Sequence, residues 1–281
     1  VCPVSDLEIE NLFVAMRRFI LMNLNEFQAS AELIYFLSTL CLHCFTNDYI
    51  YFETHEEVLV VDKLENELAK ITHRSGQLAA IRVLCFASYR PLHKYKWCRE
   101  LRSLKDLSII GLRLIEEPFT EISMAANFAS VGKISDGVSR KVRAQYEKNP
   151  YPRWVKLSIS TKAKSISEVC DDLGLRLQSE SIKAVVSPAV LIAGCGTGQH
   201  PIETASRFSD CQVTAIDLSL ASLAYAKRKS GEIGLNNLKF LHGDILNLDC
   251  VGHKFDIIES VGVLHHLEEP MAGWRVLVDL L

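Results

Sequence analysis

The residues able to do chemistry crowd into the second half of this 281-residue chain. Gly194-Cys195-Gly196-Thr197-Gly198 sets three glycines at alternate positions, directly after the apolar run Val190-Leu191-Ile192-Ala193. Lacking a Cβ, such residues let a backbone turn tightly and approach a ligand closely. Pro201 then stands where a first helical turn tolerates it. A strand, a glycine turn and a helix N-terminus together make a nucleotide-type site. Asp217 follows at about 20 residues' distance, the separation at which a carboxylate accepts from ribose hydroxyls. Its alternative role is to cap the helix starting near Leu218, for which Ser219 competes. Gly243-Asp244-Ile245 offers a carboxylate for an adenine amino group and an apolar side chain for the ring; the alternative is a polar turn. His265 and His266 close the series. Neighbouring residues point in different directions, so at most one faces a pocket, as a base or as a structural rim residue. His200 reads as a first-turn helix residue.

These residues need elements to place them. Residues 190–193, 212–216, 238–242 and 255–261 read as strands, with helices over about 165–177, 202–208, 220–232 and beyond Pro270. That alternation predicts a parallel sheet with helices on both faces, and a ligand beyond the carboxyl ends of its strands.

Before this region, residues 136–164 form a basic, aromatic connector. Arg140, Lys141, Arg143, Lys148, Arg153, Lys156, Lys162 and Lys164 face only Glu147 as a counter-charge. Pro150 and Pro152 bracket Tyr151 and keep the segment extended. Tyr146, Tyr151, Arg153 and Trp154 suit stacking on a flat or cationic ligand, or packing as a rigid strap. The basic run could meet phosphates, though a solvated linker explains it too.

Residues 1–135 read as an all-α domain. Ser5-Asp6-Leu7-Glu8 has the spacing of a capping box. Helices are expected over about 29–45, 55–71, 77–87 and 104–115, the last stopped near Pro118. Cys41-Leu42-His43-Cys44 has no second ligand pair to complete a zinc site and reads as buried thiols. Asn47-Asp48-Tyr49 reads as a turn, and Asp106 and Glu116-Glu117 as solvated helix ends. No metal site is expected.

A net charge of −3 argues against a surface coated in nucleic acid. The longest nearly apolar run, residues 33–45, is too short to span a bilayer. Nine cysteines without framework spacing fit reduced thiols in a cytoplasmic protein. The chain starts at Val1 and stops inside a helical pattern, so both ends read as cut.

The ordered signals Gly-Cys-Gly-Thr-Gly, Asp217, Gly243-Asp244 and Val263-Leu264-His265-His266 resemble class I S-adenosylmethionine-dependent methyltransferases over roughly residues 186–281. The stretch from Val142 to Trp154, with Gly-Cys-Gly-Thr-Gly-Gln-His and Cys44 to Tyr49, resembles a bacterial group in which tetratricopeptide repeats precede such a domain. Asn149-Pro150-Tyr151 is also similar to the Asn-Pro-Pro-Tyr loop of amino-directed nucleic-acid methyltransferases, without its second proline. The resemblance implies an α/β, Rossmann-like domain over 165–281, its parallel sheet cut short of seven strands, behind the all-α domain. It implies S-adenosylmethionine as cofactor, held by Gly194, Cys195, Gly196, Gly198, Asp217, Leu218, Asp244, Ile245, Ser260 and Tyr146. Residues 259–261 would lie under its methionine. His265 would be the base if the acceptor must lose a proton. The acceptor stays open among small molecule, protein and RNA, and the helical half or missing repeats could hold a protein partner. Two other readings compete. One is a cofactor-binding scaffold or sensor without activity. The other is an NAD-dependent oxidoreductase, against which Gln199 and its successors supply no further glycine in register.

Overall fold

A computed structural model describes residues 6–70, 77–103, 107–248 and 251–281. The chain divides into two compact units, Val1–Thr120 and Glu121–Leu281.

The first unit is helical: α1 (Leu7–Met22), α2 (Ala31–Thr46), α3 (His55–Leu68) and α4 (Gln77–Ala87). Each of the first three begins where a side chain satisfies orphan N–H groups. Asp6 accepts from Glu8 and Ile9, Ser30 Oγ from Leu33, and Thr54 with Glu57 completes a reciprocal box. Asp6 is thus the cap of α1; Ser5 lies outside the described residues. Cys41 and Cys44 are fully buried in the core, and His43 Nε2 bonds the Tyr51 hydroxyl at 2.6 Å. Among the described residues no cluster could hold a metal. Asp48 and Tyr49 take positive φ (51° and 56°), so this stretch is a turn.

Pro118 does not stop its helix. The chain runs through α5 (Ser108–Gly111), a π turn (Leu112–Glu116) and α6 (Glu117–Ala125). The wider π turn relieves the proline of the tight hydrogen bond it cannot make. Glu117 is therefore a buried mid-helix residue paired with Arg113 at 3.3 Å rather than a solvated end. Asp106 and Leu104, the expected start of that helix, lie outside the described residues.

The second unit begins earlier than residue 136. Glu121 is buried and accepts from Arg228 Nε at 2.8 Å, and residues 130–131 form a strand of the sheet. Both interactions are non-local, which is why composition placed the boundary later. All five strands are parallel: β1 (Ser130–Val131), β2 (Ala189–Ala193), β3 (Gln212–Asp217), β4 (Leu238–Gly243) and β5 (Ile257–Glu259), in the spatial order β1-β4-β3-β2-β5. The order reverses at β2, and such switch points open a crevice at the carboxyl ends.

Side chains alternate across the pleat. Val190 and Ile192 join a cluster with Ile202, Ala205, Leu223 and Ala226, whereas Leu191 and Ala193 pack with Leu277 and Leu280. The first face carries α8 (Ile166–Asp172), α10 (Gln199–Arg207) and α11 (Leu220–Ile233), and the second carries α12 (Pro270–Val278). Residues 136–164 are no linker, since α7 (Gly137–Lys148) contacts α11 and Trp154 belongs to the first core cluster. The short α9 (Glu180–Lys183) precedes β2. No helix among the described residues is long and apolar enough to cross a membrane.

Candidate functional site

A cavity of about 380 Å³ opens beyond the carboxyl ends of β2 to β5, within the range of small-ligand sites. Its floor is the glycine turn. The N–H groups of Gly194 and Cys195 both donate to the Ile216 carbonyl, at 2.8 and 3.0 Å, which ties the turn to the end of β3. Gly196 N–H donates to Asp217 Oδ2 at 2.7 Å, while Ser219 N–H donates to Oδ1 at 2.9 Å. Asp217 therefore bridges the glycine turn to the loop before α11. Ser219 Oγ, accepting from Ser222, is the helix cap. Burial pushes the Asp217 carboxyl above its ordinary range, against the lowering effect of its N–H donors. Burial likewise pushes the Cys195 thiol well above the usual range, helped by the nearby Asp217. Cys195 is thus a neutral wall residue.

Gly194 (φ +80°) and Gly198 (φ +92°) are needed for close packing. A Cβ would stand 2.3 Å from Val263 Cγ2 in the first case and 2.5 Å from the Ala226 Cβ in the second. Gly198 consequently faces α11 and does not line the cavity. Gly196 (φ +52°) does line it, and a Cβ there would meet no protein atom.

Asp244 is 1 % exposed. Its Oδ1 accepts from Leu246 N–H at 3.0 Å, and its Oδ2 has no partner among the described residues. A buried carboxylate oxygen without a donor is costly, and Asp244 lines the cavity beside Ile245 and Leu218.

The opposite wall comes from the connector. Ser139, Val142 and Tyr146 of α7, with Tyr151 and Pro152, line the cavity. The segment is fastened to the glycine turn in both directions: Trp154 Nε1 donates to the Thr197 carbonyl at 2.9 Å, and Thr197 Oγ1 donates to the Pro152 carbonyl at 2.7 Å. The Tyr225 hydroxyl holds the Trp154 carbonyl, and Lys229 Nζ lies 4.9 Å from the indole centroid. Trp154 is thus a packed strap, whereas Tyr146 and Tyr151 line the cavity wall. Glu147 does not balance the basic run; it accepts from Ser219 Oγ (3.1 Å) and Ala221 N–H (3.4 Å), at the positive end of α11.

Three sequence-level placements change. Ser260 Oγ turns away to donate to the Ala193 carbonyl at 3.2 Å, so it bonds the strand instead of lining the cavity. His266 lines the cavity and His265 does not; their rings lie 4.1 Å apart within one 3-10 turn, which fixes their different directions. Glu259 is engaged behind the glycine turn: its Oε2 accepts from His200 (2.8 Å) and Thr204 Oγ1 (2.7 Å), and Arg207 stands 3.6 Å from its Oε1. His200 sits in the first turn of α10, as expected, and it also lines the cavity. Ser139, Val142, Thr197, Gln199 and Leu267 also line the cavity without having been singled out as ligand residues, although the i, i+3, i+7 spacing of Ser139, Val142 and Tyr146 marks one helix face.

Burial raises the Glu259 carboxyl, but the bonds from His200 and Thr204 and the charge of Arg207 outweigh it, leaving it below its ordinary range. A carboxylate depressed on folding adds stability above its unfolded pKa and loses it as pH falls through the folded value. Glu259→Gln is therefore expected to cost about 1–2 kcal/mol at neutral pH. The deficit should vanish in acid, read from urea unfolding at several pH values.

A family described as Methyltransferase domain matches residues 190–280, the span from the strand before the glycine turn into α12. This stretch is thus similar to methyltransferase domains. Its relatives include an uncharacterized protein of Synechococcus sp., 36 % identical over 95 residues, 34 % of this chain and 23 % of that protein. The (S)-coclaurine N-methyltransferase of Papaver somniferum is 31 % identical over 94 residues, 34 % of this chain and 26 % of its own length. The trans-aconitate 2-methyltransferase of Deinococcus radiodurans is 38 % identical over 80 residues, 28 % of each chain. This chain thus spans about a quarter of the length of the curated relatives it matches.

S-adenosylmethionine is the cofactor that the sequence resemblance implies. The cavity fits it on two independent features, the unpaired Asp244 Oδ2, which lacks a donor such as an adenine amino group, and the open face of Gly196.

Proposed function

We propose that this protein transfers a methyl group from S-adenosylmethionine to an acceptor entering past Tyr146, Tyr151 and His266. The carrying observation is the buried Asp244 Oδ2 left without a donor in a cavity floored by the glycine turn. Asp244 would accept from the adenine amino group with Ile245 beside the ring. Asp217 would use its remaining lone pairs on the ribose hydroxyls, and Gly194, Cys195 and Gly196 would lie along the methionyl part. The sulfonium supplies an activated methyl group and leaves as a neutral thioether, so no acid is required. What the protein adds is alignment, worth roughly 7–11 kcal/mol of barrier in favourable cases. Where the acceptor must lose a proton, His266 is the rim residue placed to take it, in place of His265.

The two named relatives act on different acceptors, to judge from their names, so the shared stretch goes with the cofactor and leaves the acceptor open. Membership of the tetratricopeptide-associated group is part of this proposal, supported by the segment 142–154 building one wall of the site. So is a cytoplasmic setting, supported by buried thiols such as Cys41, Cys44 and Cys85. The boundaries proposed for function are a helical unit to residue 120 and a methyltransferase unit that includes the connector.

Calorimetric titration with S-adenosylhomocysteine, followed by transfer of labelled methyl groups to cell extract, tests the reading. Binding with transfer supports it. Binding without transfer to any fraction favours a scaffold or sensor, and binding of NADH instead would reverse it.

A further inference from the structure

The first unit holds a second concave site that methyl transfer does not use. After α4, two 3-10 segments cover Leu92–Lys94 and Lys96–Ser103. Leu92 and Cys98 are fully buried and anchor the run. Tyr95 and Trp97 stack on each other at 5.7 Å, and both rings meet Phe86, at 5.0 and 5.5 Å. Lys94 and Lys96, between these anchors, and Arg99, just after them, are exposed. Together with His93, Tyr95 and Phe119 they line a cleft of about 350 Å³, and among the described residues no carboxylate lines it. The Arg99 guanidinium lies 5.2 Å from the Phe119 ring centroid. None of the three cations forms an ion pair with a described residue. That is notable in a chain whose net charge is −3.

We propose that this cleft binds a small organic phosphate. Three like charges held around one concavity repel each other at low salt, and an anion between them relieves that repulsion. The planar guanidinium of Arg99 and the two ammonium groups match phosphate oxygens. Tyr95 and Phe119 give the organic part an apolar wall, and the volume suits a ligand of mononucleotide size. The ring cluster fixes the backbone that displays the cations, so little ordering is left for binding to bear.

The test is calorimetric titration of the whole chain at low salt with uridine 5′-monophosphate, uridine and inorganic phosphate. The monophosphate is expected to bind best and uridine worst. Its affinity should fall severalfold as salt rises from about 50 to 200 mM. The triple substitution Lys94→Gln, Lys96→Gln, Arg99→Gln should weaken it at least about tenfold, with thermal unfolding and S-adenosylhomocysteine binding unchanged. Equal affinity in the triple variant would overturn the proposal. So would uridine binding as well as its monophosphate, no binding of the monophosphate at millimolar concentration, or its displacement by an acidic peptide at a lower concentration.

Discussion

Asp244→Asn is expected to weaken S-adenosylhomocysteine binding by about 10- to 100-fold without lowering the melting temperature. The amide oxygen can keep the bond from Leu246 N–H, because that needs only one acceptor. The other position then presents an NH₂ group where the carboxylate presented Oδ2. An adenine amino group meeting that donor loses a charge-assisted bond worth about 1.5–3 kcal/mol, which gives the stated range. The empty protein meanwhile loses a buried carboxyl oxygen that has no donor, so its stability should hold or rise. A calorimetric titration paired with a thermal melt reads both signs. Unchanged affinity, or a fall in affinity matched by a fall in melting temperature, would remove Asp244 from the adenine site.

Gly198→Ala is expected to destabilise the second unit by about 3–5 kcal/mol, whereas Gly196→Ala costs about 1 kcal/mol and blocks the ligand. Both glycines have positive φ, so each substitution carries the left-handed backbone penalty. At Gly198 the new Cβ also stands 2.5 Å from the Ala226 Cβ and 2.9 Å from its Cα, and a backbone atom of α11 cannot swing aside. At Gly196 no protein atom lies within 4 Å, and the residue lines the cavity. Urea unfolding should rank Gly198→Ala far below Gly196→Ala, and cofactor titration of the folded Gly196→Ala protein should show at least a tenfold loss. Equal stabilities of the two variants would contradict this division of labour.

That division shows what a sequence carries and what it does not. The run 190–198, Asp217 and Gly243-Asp244 were legible because a tight turn after an apolar strand, and a polar residue at a strand's end, are local events. The four principal strands and the helices between them follow from the same local patterning. Whether a given residue of a turn faces ligand or protein depends on what packs behind it. Gly198 against Ala226 and Ser260 against the Ala193 carbonyl are both settled by partners distant in the chain. The same holds for Ser130 and Val131, two residues that become a strand only because β4 offers its edge. Glu147 looked like a counter-charge for its own helix, yet its acceptors are spoken for by a helix 72 residues further on. Pro118 was read by its usual effect on an α-helix, which a π turn beside it removes.

Asp217 leaves a signature in the proton balance of binding. Its carboxyl is raised on folding, so the empty folded protein holds more protons there than the unfolded chain does. By itself this makes stability fall as pH rises from the unfolded to the folded pKa, the reverse of Glu259. Ribose hydroxyls donate more strongly to the ionised form, in charge-assisted bonds. Cofactor affinity should therefore grow as pH climbs through the raised value, and titrations below it should release a proton whose heat scales with the buffer's ionisation enthalpy. The glycine turn thus lies between two carboxylates of opposite response, and mild acid should empty the cofactor site before it loosens the sheet beneath.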